Sequence, residues 1–330
     1  MYFLQYILAI SKLVYISLTR LKQSETWGKA YLHELEVKYN GKFETSLISK
    51  VAKYQSIQLH YVANAFSGLF ERMNNKNEVE RNIQYFLMTV LYDELIDENK
   101  LEESRLNEMF YHPQKAEPHN FKERVLLAMH LELLSKIANE KSYWDTIEKV
   151  HLAQKDSAKQ FNEVTSFEEI MDITKRKGGY SLLMCRHYLT DPIDEKIDEC
   201  WYHLGGLIQM TNDLYDTYKD TKAGIYTFAN KSESINTIEA AYNSQKELLK
   251  NSIIHLPISP KNKESFSLNI SIIPAFGDIA IQQLKGIALH STTMPNFNKI
   301  PRKSLIIDME LSVNKYRLLK YAYKNGKLWK

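Results

Sequence analysis

Two short acidic runs hold the residues most capable of chemistry. In the first, Tyr92-Asp93-Glu94-Leu95-Ile96-Asp97-Glu98, Asp93 and Asp97 stand at i and i+4. On a helix that spacing puts both carboxylates on one face, roughly 5–6 Å apart at Cβ, where like charges repel. The run follows an almost uninterrupted apolar stretch, Ile83 to Leu91, so desolvation adds to the cost of ionising both. A hard divalent cation relieves both penalties, because Mg²⁺ takes oxygen ligands. The second run is Gln209-Met210-Thr211-Asn212-Asp213-Leu214-Tyr215-Asp216-Thr217-Tyr218-Lys219-Asp220. Asn212, Asp216 and Asp220 form an i, i+4, i+8 column of oxygen donors, Asp213 lies about 100° round the helix as a support, and Lys219 stands beside the last carboxylate. For each run the plain alternative is a solvated polar stripe.

Together the runs say more than either does alone. Two helices that present oxygens at this spacing can hold several Mg²⁺ ions between them, and the natural guest is a diphosphate, whose oxygens complete the coordination. The pair resembles the two metal-binding motifs of the class I isoprenoid synthase superfamily, which includes class I terpene synthases and trans-prenyl diphosphate synthases. DELID resembles DDxxD, with Glu94 in place of the second aspartate. The run from Gly205 through Gln209 to Asp220 reads GxxxQxxNDxxDxxxD and is similar to the second motif of prenyl synthases, with Asn212 departing from the leading aspartate. NDxxDxxKD is equally similar to the terpene-synthase triad, with Asp216 in place of the hydroxyl residue. The resemblance covers residues from about 50 to 225.

It implies three Mg²⁺ ions, with Mn²⁺ as a substitute, held by Asp93, Asp97, Asn212, Asp216 and Asp220, and an allylic prenyl diphosphate as substrate. It also gives meaning to Lys175-Arg176-Lys177-Gly178-Gly179-Tyr180. Two consecutive glycines cost roughly 1 kcal/mol each inside a helix, so a break is expected at Gly178 and Gly179. In the family a broken helix here looks out on the substrate, beside a basic residue that senses diphosphate; Lys175, Arg176 and Lys177 are the candidates. A helix end with a solvated basic run is the plain alternative. Near the C-terminus, Arg317 and Tyr321 are the nearest match to a pair that closes over the diphosphate in terpene synthases.

The chemistry implied is ionisation of the allylic diphosphate, with the cation kept from water by an apolar cavity whose aromatic faces stabilise it. Tyr61, Phe66, Phe86, Tyr180 and Tyr188 are candidate walls, with core packing the alternative for each. Chain elongation needs a second basic site, for isopentenyl diphosphate. The segments where prenyl synthases carry it read Lys53-Tyr54-Gln55-Ser56 and Asn99 to Arg105, and Arg72 and Arg81 are isolated. Cyclisation or elimination on one substrate is therefore the better reading; elongation, a non-catalytic partner subunit and a metal-dependent hydrolase are the alternatives. Small residues Ala63, Ala65, Ser67 and Gly68 before the first motif leave either depth for a substrate of fifteen or more carbons or a close helix contact.

The elements that must position these residues are helical throughout. Apolar residues recur with helical period over 44–72, 79–98, 121–139, 142–162, 167–189, 193–220, 234–251 and 303–323, while 264–274 is ambiguous between helix and strand. Only 11 glycines and 8 prolines in 330 residues argue against turn-rich sheet architectures. A single all-α domain over residues 1–330, built around an apolar cavity, is expected. Lys and Arg number 43 and Asp and Glu 40, a net charge of +3 that gives no reason to expect nucleic acid as a partner. Two cysteines, Cys185 and Cys200, without metal-ligand spacing suit a reducing, cytoplasmic setting. The apolar opening MYFLQYILAI is interrupted by Lys12, too short to span a bilayer, and reads as a packed helix or as a peripheral membrane contact. A homodimer is left open.

Overall fold

A computed structural model describes residues 2–97, 102–288 and 294–328. Among them there is no strand; the chain is all-helical. The principal helices are α1 (Tyr2–Tyr15), α2 (Leu21–Lys38), α3 (Thr45–Gln58), α4 (Lys76–Asp97), α5 (Glu103–Tyr111), α6 (Phe121–Leu134), α7 (Glu140–Asp156), α8 (Phe167–Arg186), α9 (Glu195–Tyr215), α10 (Thr217–Ala223), α11 (Ile235–Ile254), α12 (Pro260–Ile270), α13 (Ile272–Ile287) and α14 (Ser312–Asn325). The ambiguous stretch 264–274 is helical, divided between α12 and α13. The expected helix over 303–323 is two pieces, a turn at Arg302–Leu305 and α14, with 306–311 irregular between them. Gly224 ends α10 at φ 69°, the left-handed conformation that a glycine adopts without cost.

The helices group into two compact units. The smaller comprises residues 11–140 and 187–190, the larger residues 1–10, 141–186 and 191–330. In the smaller unit α4 is buried nearly all round, with Ile83, Leu87, Val90, Leu91 and Leu95 inside. Its first turn carries Glu78, a fully buried carboxylate. Arg72 grips Glu78 through two nitrogens at 2.8 and 2.9 Å, and the Asn75 N–H, the Thr190 N–H and the Thr190 hydroxyl also donate to it. Burial alone would raise the Glu78 pKa; the guanidinium and the other three donors outweigh it and hold it down to about 2. α3 runs on through a π-turn, Leu59–Ala63, to Gly68, where Ala63, Ala65 and Ser67 are buried.

In the larger unit α8 and α9 form an antiparallel hairpin. Asp194 caps α9 by accepting from the Lys196 N–H at 2.9 Å. At that end the buried Arg186 clamps Asp198 with two bonds of 2.6 and 2.5 Å; stripping one partner from such a pair strands the other charge, at about 3–5 kcal/mol. The expected break at Gly178 and Gly179 is not there, and α8 passes straight through both. The glycines serve the crossing instead. A Cβ at Gly178 would lie 2.4 Å from the Gly205 carbonyl oxygen, one at Gly205 2.3 Å from that of Gly178, and one at Gly179 2.5 Å from the Tyr202 ring. Lost helix propensity is offset by the close approach of two backbones, which no larger residue permits.

Gly205→Ala is expected to cost about 1–3 kcal/mol, because the obstructing atom is backbone and cannot swing aside. Gly286→Ala, in a helix position with open space around the new methyl, should gain about 0.5–1 kcal/mol. Denaturant unfolding of the two variants measures both signs; equal effects would show that the crossing is not tight.

Candidate functional site

The second acidic run lies entirely in the larger unit. α9 ends at Tyr215 and α10 begins at Thr217, with Asp216 (φ −89°, ψ 6°) capping both. Thr217 causes the junction: its hydroxyl donates back to the Leu214 and Asp213 carbonyls at 2.9 and 3.2 Å, which loosens and bends a helix. The helical register survives, since the Asp216 N–H donates to the Asn212 carbonyl and the Asp220 N–H to that of Asp216, both at 2.8 Å. The column of Asn212, Asp216 and Asp220 therefore persists, but in graded surroundings. Asn212 and Asp216 are exposed and Asp220 is buried.

Asp213 is the buried support. It accepts from the Thr174 hydroxyl of α8 at 3.1 Å and from Gln209 Nε2 at 2.9 Å. Burial pushes its pKa up to about 6, and those two bonds together with the Lys177 charge draw it only partly back. Asp220 is pushed up to about 7, by burial first and then by the charges of Asp213 and Asp216, with Lys219 and Lys177 opposing. Each desolvated carboxylate thus ionises against resistance that a cation would remove. Asn212, Asp216 and Asp220 present hard oxygen donors of the kind that a divalent ion such as Mg²⁺ takes, and the charge of Asp220 is the one that burial leaves uncompensated. Among the described residues no group of three or more His, Cys, Asp or Glu side chains forms a preassembled metal cage.

The three basic candidates separate by their partners. Arg176 is held by Asp172 at 2.7 Å and Asp156 at 2.9 Å. Lys175 lends its charge to the surroundings of His203, whose pKa is lowered mainly by burial. Lys177 alone of the three acts on both Asp213 and Asp220. Lys219 sits 3.7 Å from Asp216 in an exposed pair, a contact of little energetic weight. Arg317 bonds to Asn314 at 3.3 Å and Tyr321 to Gln282 at 3.5 Å; no described contact brings either to the acidic run. The residues that do reach it from the C-terminal segment are Met309, whose sulfur meets the Tyr215 hydroxyl at 3.5 Å, and Arg302, 6.0 Å from the centre of the Tyr218 ring. Neither carries a sequence signal, being more than eighty residues away. Thr174 was legible in principle, as a hydroxyl one turn before Lys177 on the same helix.

The first run lies in the smaller unit, at the end of α4. Asp93 is half-buried there, and the side chain of Asp97 lies outside the described residues. Glu94, where the resembled motif has aspartate, is bound by Lys122 at 2.8 Å, and Lys122 also meets Glu44 at 2.9 Å. Of the aromatic candidates, Phe66 and Tyr188 are core residues, each 1% exposed, whereas Tyr61, Phe86 and Tyr180 keep part of their surface open. Tyr180 packs on Tyr202 at 4.9 Å. Three arginines of this unit are committed to its own structure. Arg72 holds Glu78, Arg81 Nε donates to the Tyr188 carbonyl at 2.8 Å, and Arg105 joins Glu108, Glu123 and the Glu117 carbonyl. Gln55 and Ser56 are likewise used to tie α3 to Ser24 and Leu21.

The fold is thus all-helical, and its second acidic run presents hard oxygen donors with a lysine beside them. No protein-family model matches the chain, and no curated protein matches it.

The raised carboxylates have a thermodynamic consequence. A native pKa above the unfolded value means that the native state binds more protons in between, so their contribution to stability falls as pH rises from about 4 to about 7. Asp220→Asn removes one such penalty. Its melting temperature should exceed that of the parent at pH 7 and converge with it near pH 4, in metal-free buffer; an excess that does not change with pH would contradict the assignment.

Proposed function

We propose that the protein is a Mg²⁺-dependent class I terpene synthase, a lyase that ionises an allylic prenyl diphosphate and releases diphosphate. The observation that carries this reading is the second run: an oxygen column kept in helical register across a helix junction, backed by buried Asp213, with Lys177 acting on the same carboxylates. Bound divalent ions supply charge neutralisation for the departing diphosphate. In this reading Asn212, Asp216 and Asp220 would hold the ions, and the resemblance assigns Asp93 and Asp97 the same role. Lys177 places a positive charge beside the diphosphate, and Thr174 and Gln209 fix Asp213 so that the column keeps its geometry. The allylic C–O bond breaks with its electron pair leaving on the diphosphate oxygen, and the cation reacts within its own chain inside an apolar enclosure.

The engagement of Arg72, Arg81 and Arg105 by Glu78, Tyr188, Glu108 and Glu123 supports a single-substrate reaction over chain elongation, since these arginines are not available to a second diphosphate. Farnesyl diphosphate supplied alone should give a hydrocarbon or alcohol of fifteen carbons in mass-spectrometric analysis. A lengthened diphosphate on adding isopentenyl diphosphate would make the protein an elongating synthase instead.

Asp93→Ala, Asn212→Ala and Asp216→Ala are expected to lower Mg²⁺-dependent diphosphate release by at least about a hundredfold, the scale on which transition-state charge stabilisation acts. In Asn212→Ala and Asp216→Ala the fold should stay intact, because both residues are exposed. Parent-like turnover in all three variants with unchanged melting would reduce the runs to solvated stripes.

A further inference from the structure

The larger unit carries a surface that the catalytic reading leaves unused. α1 packs on α14: Tyr6 stands 4.9 Å from the Tyr323 ring and donates to the Leu319 carbonyl at 2.5 Å, and Phe3 lies 6.3 Å from the same ring. Only one side of α1 is used. Leu4, Ile7 and Leu8 form the opposite stripe and point outward, with Phe3 at its edge; Phe3, Leu4 and Leu8 are each about two-thirds exposed. On α14, Val313, Tyr316 and Leu319 are exposed as well. Single exposed apolar residues are ordinary, but a set gathered on two touching helices is not.

The charge on these helices has one sign. Neither α1 nor α14 contains an Asp or Glu, while Lys315, Arg317, Lys320 and Lys324 of α14 are all basic. Glu310 reaches Lys315 from the preceding turn, and no acid is paired with Lys320 or Lys324 among the described residues. At the C-terminal end of α14 a cavity of about 290 Å³ opens beside Tyr323, lined by Lys246, Lys250, Lys324 and Lys327 against one carboxylate, Glu247. Asp278 neutralises Lys246 at 2.6 Å, whereas Lys250 and Lys324 have no such partner among the described residues.

We propose that α1 and α14 dock this protein onto the surface of an anionic lipid bilayer, the apolar stripe entering the headgroup region and the lysines meeting lipid phosphates. Apolar side chains flanked by uncompensated lysines are what an interfacial helix requires. No described helix is long and apolar enough to cross a membrane, so the mode is peripheral. A second copy of the chain fits this face poorly, because two-fold pairing would set one cationic α14 against another.

The test is co-sedimentation of the 330-residue protein with vesicles of phosphatidylcholine alone or with added phosphatidylserine. Binding is expected only to the anionic vesicles, and it should weaken as salt is raised. Lys320→Glu with Lys324→Glu should lower it by about tenfold or more, and Leu4→Ser with Leu8→Ser should lower it while circular dichroism melting stays at the parent value. Absence of binding to anionic vesicles, or binding that survives both double variants, overturns the proposal. So does a dimer in light scattering that the Leu4→Ser and Leu8→Ser variant abolishes without any lipid binding by the parent.

Discussion

The contact on which the second acidic run depends is one between two backbones. Gly178 of α8 and Gly205 of α9 approach so closely that neither has room for a methyl group. That spacing brings the Thr174 hydroxyl within reach of Asp213 and stands Lys177 where its charge acts on Asp213 and Asp220. Arg186 and Asp198 fasten the opposite end of the same hairpin. The geometry of the carboxylates is thus set by residues that carry no functional group, and a larger residue at the crossing would misplace the oxygens before it touched them.

The chain treats its buried carboxylates in two ways. Glu78 receives a guanidinium and three further donors, and is held far below its ordinary range. Asp213 receives only one hydroxyl and one amide, and Asp220 has acidic neighbours, so both are pushed up. The first pattern satisfies a charge and locks structure. The second leaves charge in want of a counter-ion, the electrostatic pattern that marks the run as a candidate site.

The helices and the acidic column were readable because both rest on local spacing, which a sequence displays directly. Asn212, Asp216 and Asp220 keep their register because the i to i+4 backbone bonds continue through the junction. What local reasoning misjudged was Gly178 and Gly179. Propensity counts only the cost of glycine inside a helix, while the compensating partner, Gly205, lies twenty-seven positions away in sequence. The choice among Lys175, Arg176 and Lys177 was hidden for a similar reason, since Asp156 and Asp172 capture Arg176 from positions that no motif marks. Arg302 and Met309 reach the run across a long stretch whose only sequence signal is helical period.

The anchoring of Glu78 has a bearing on synthesis. Two of its donors belong to Thr190, 112 positions downstream, and Tyr188, packed at a tilt on Tyr85 with ring centres 5.2 Å apart, belongs to the same late segment. The smaller unit is closed by residues 187–190, which a ribosome reaches only after it has made residues 141–186 of the larger one. From the end of α4 at Asp97 to Thr190 is 93 residues, roughly 5–19 s at ordinary translation speeds. During it α4 is complete, yet its innermost carboxylate lacks part of its shell. The two units are therefore not independent products of translation, and the first to begin is not the first that can be finished.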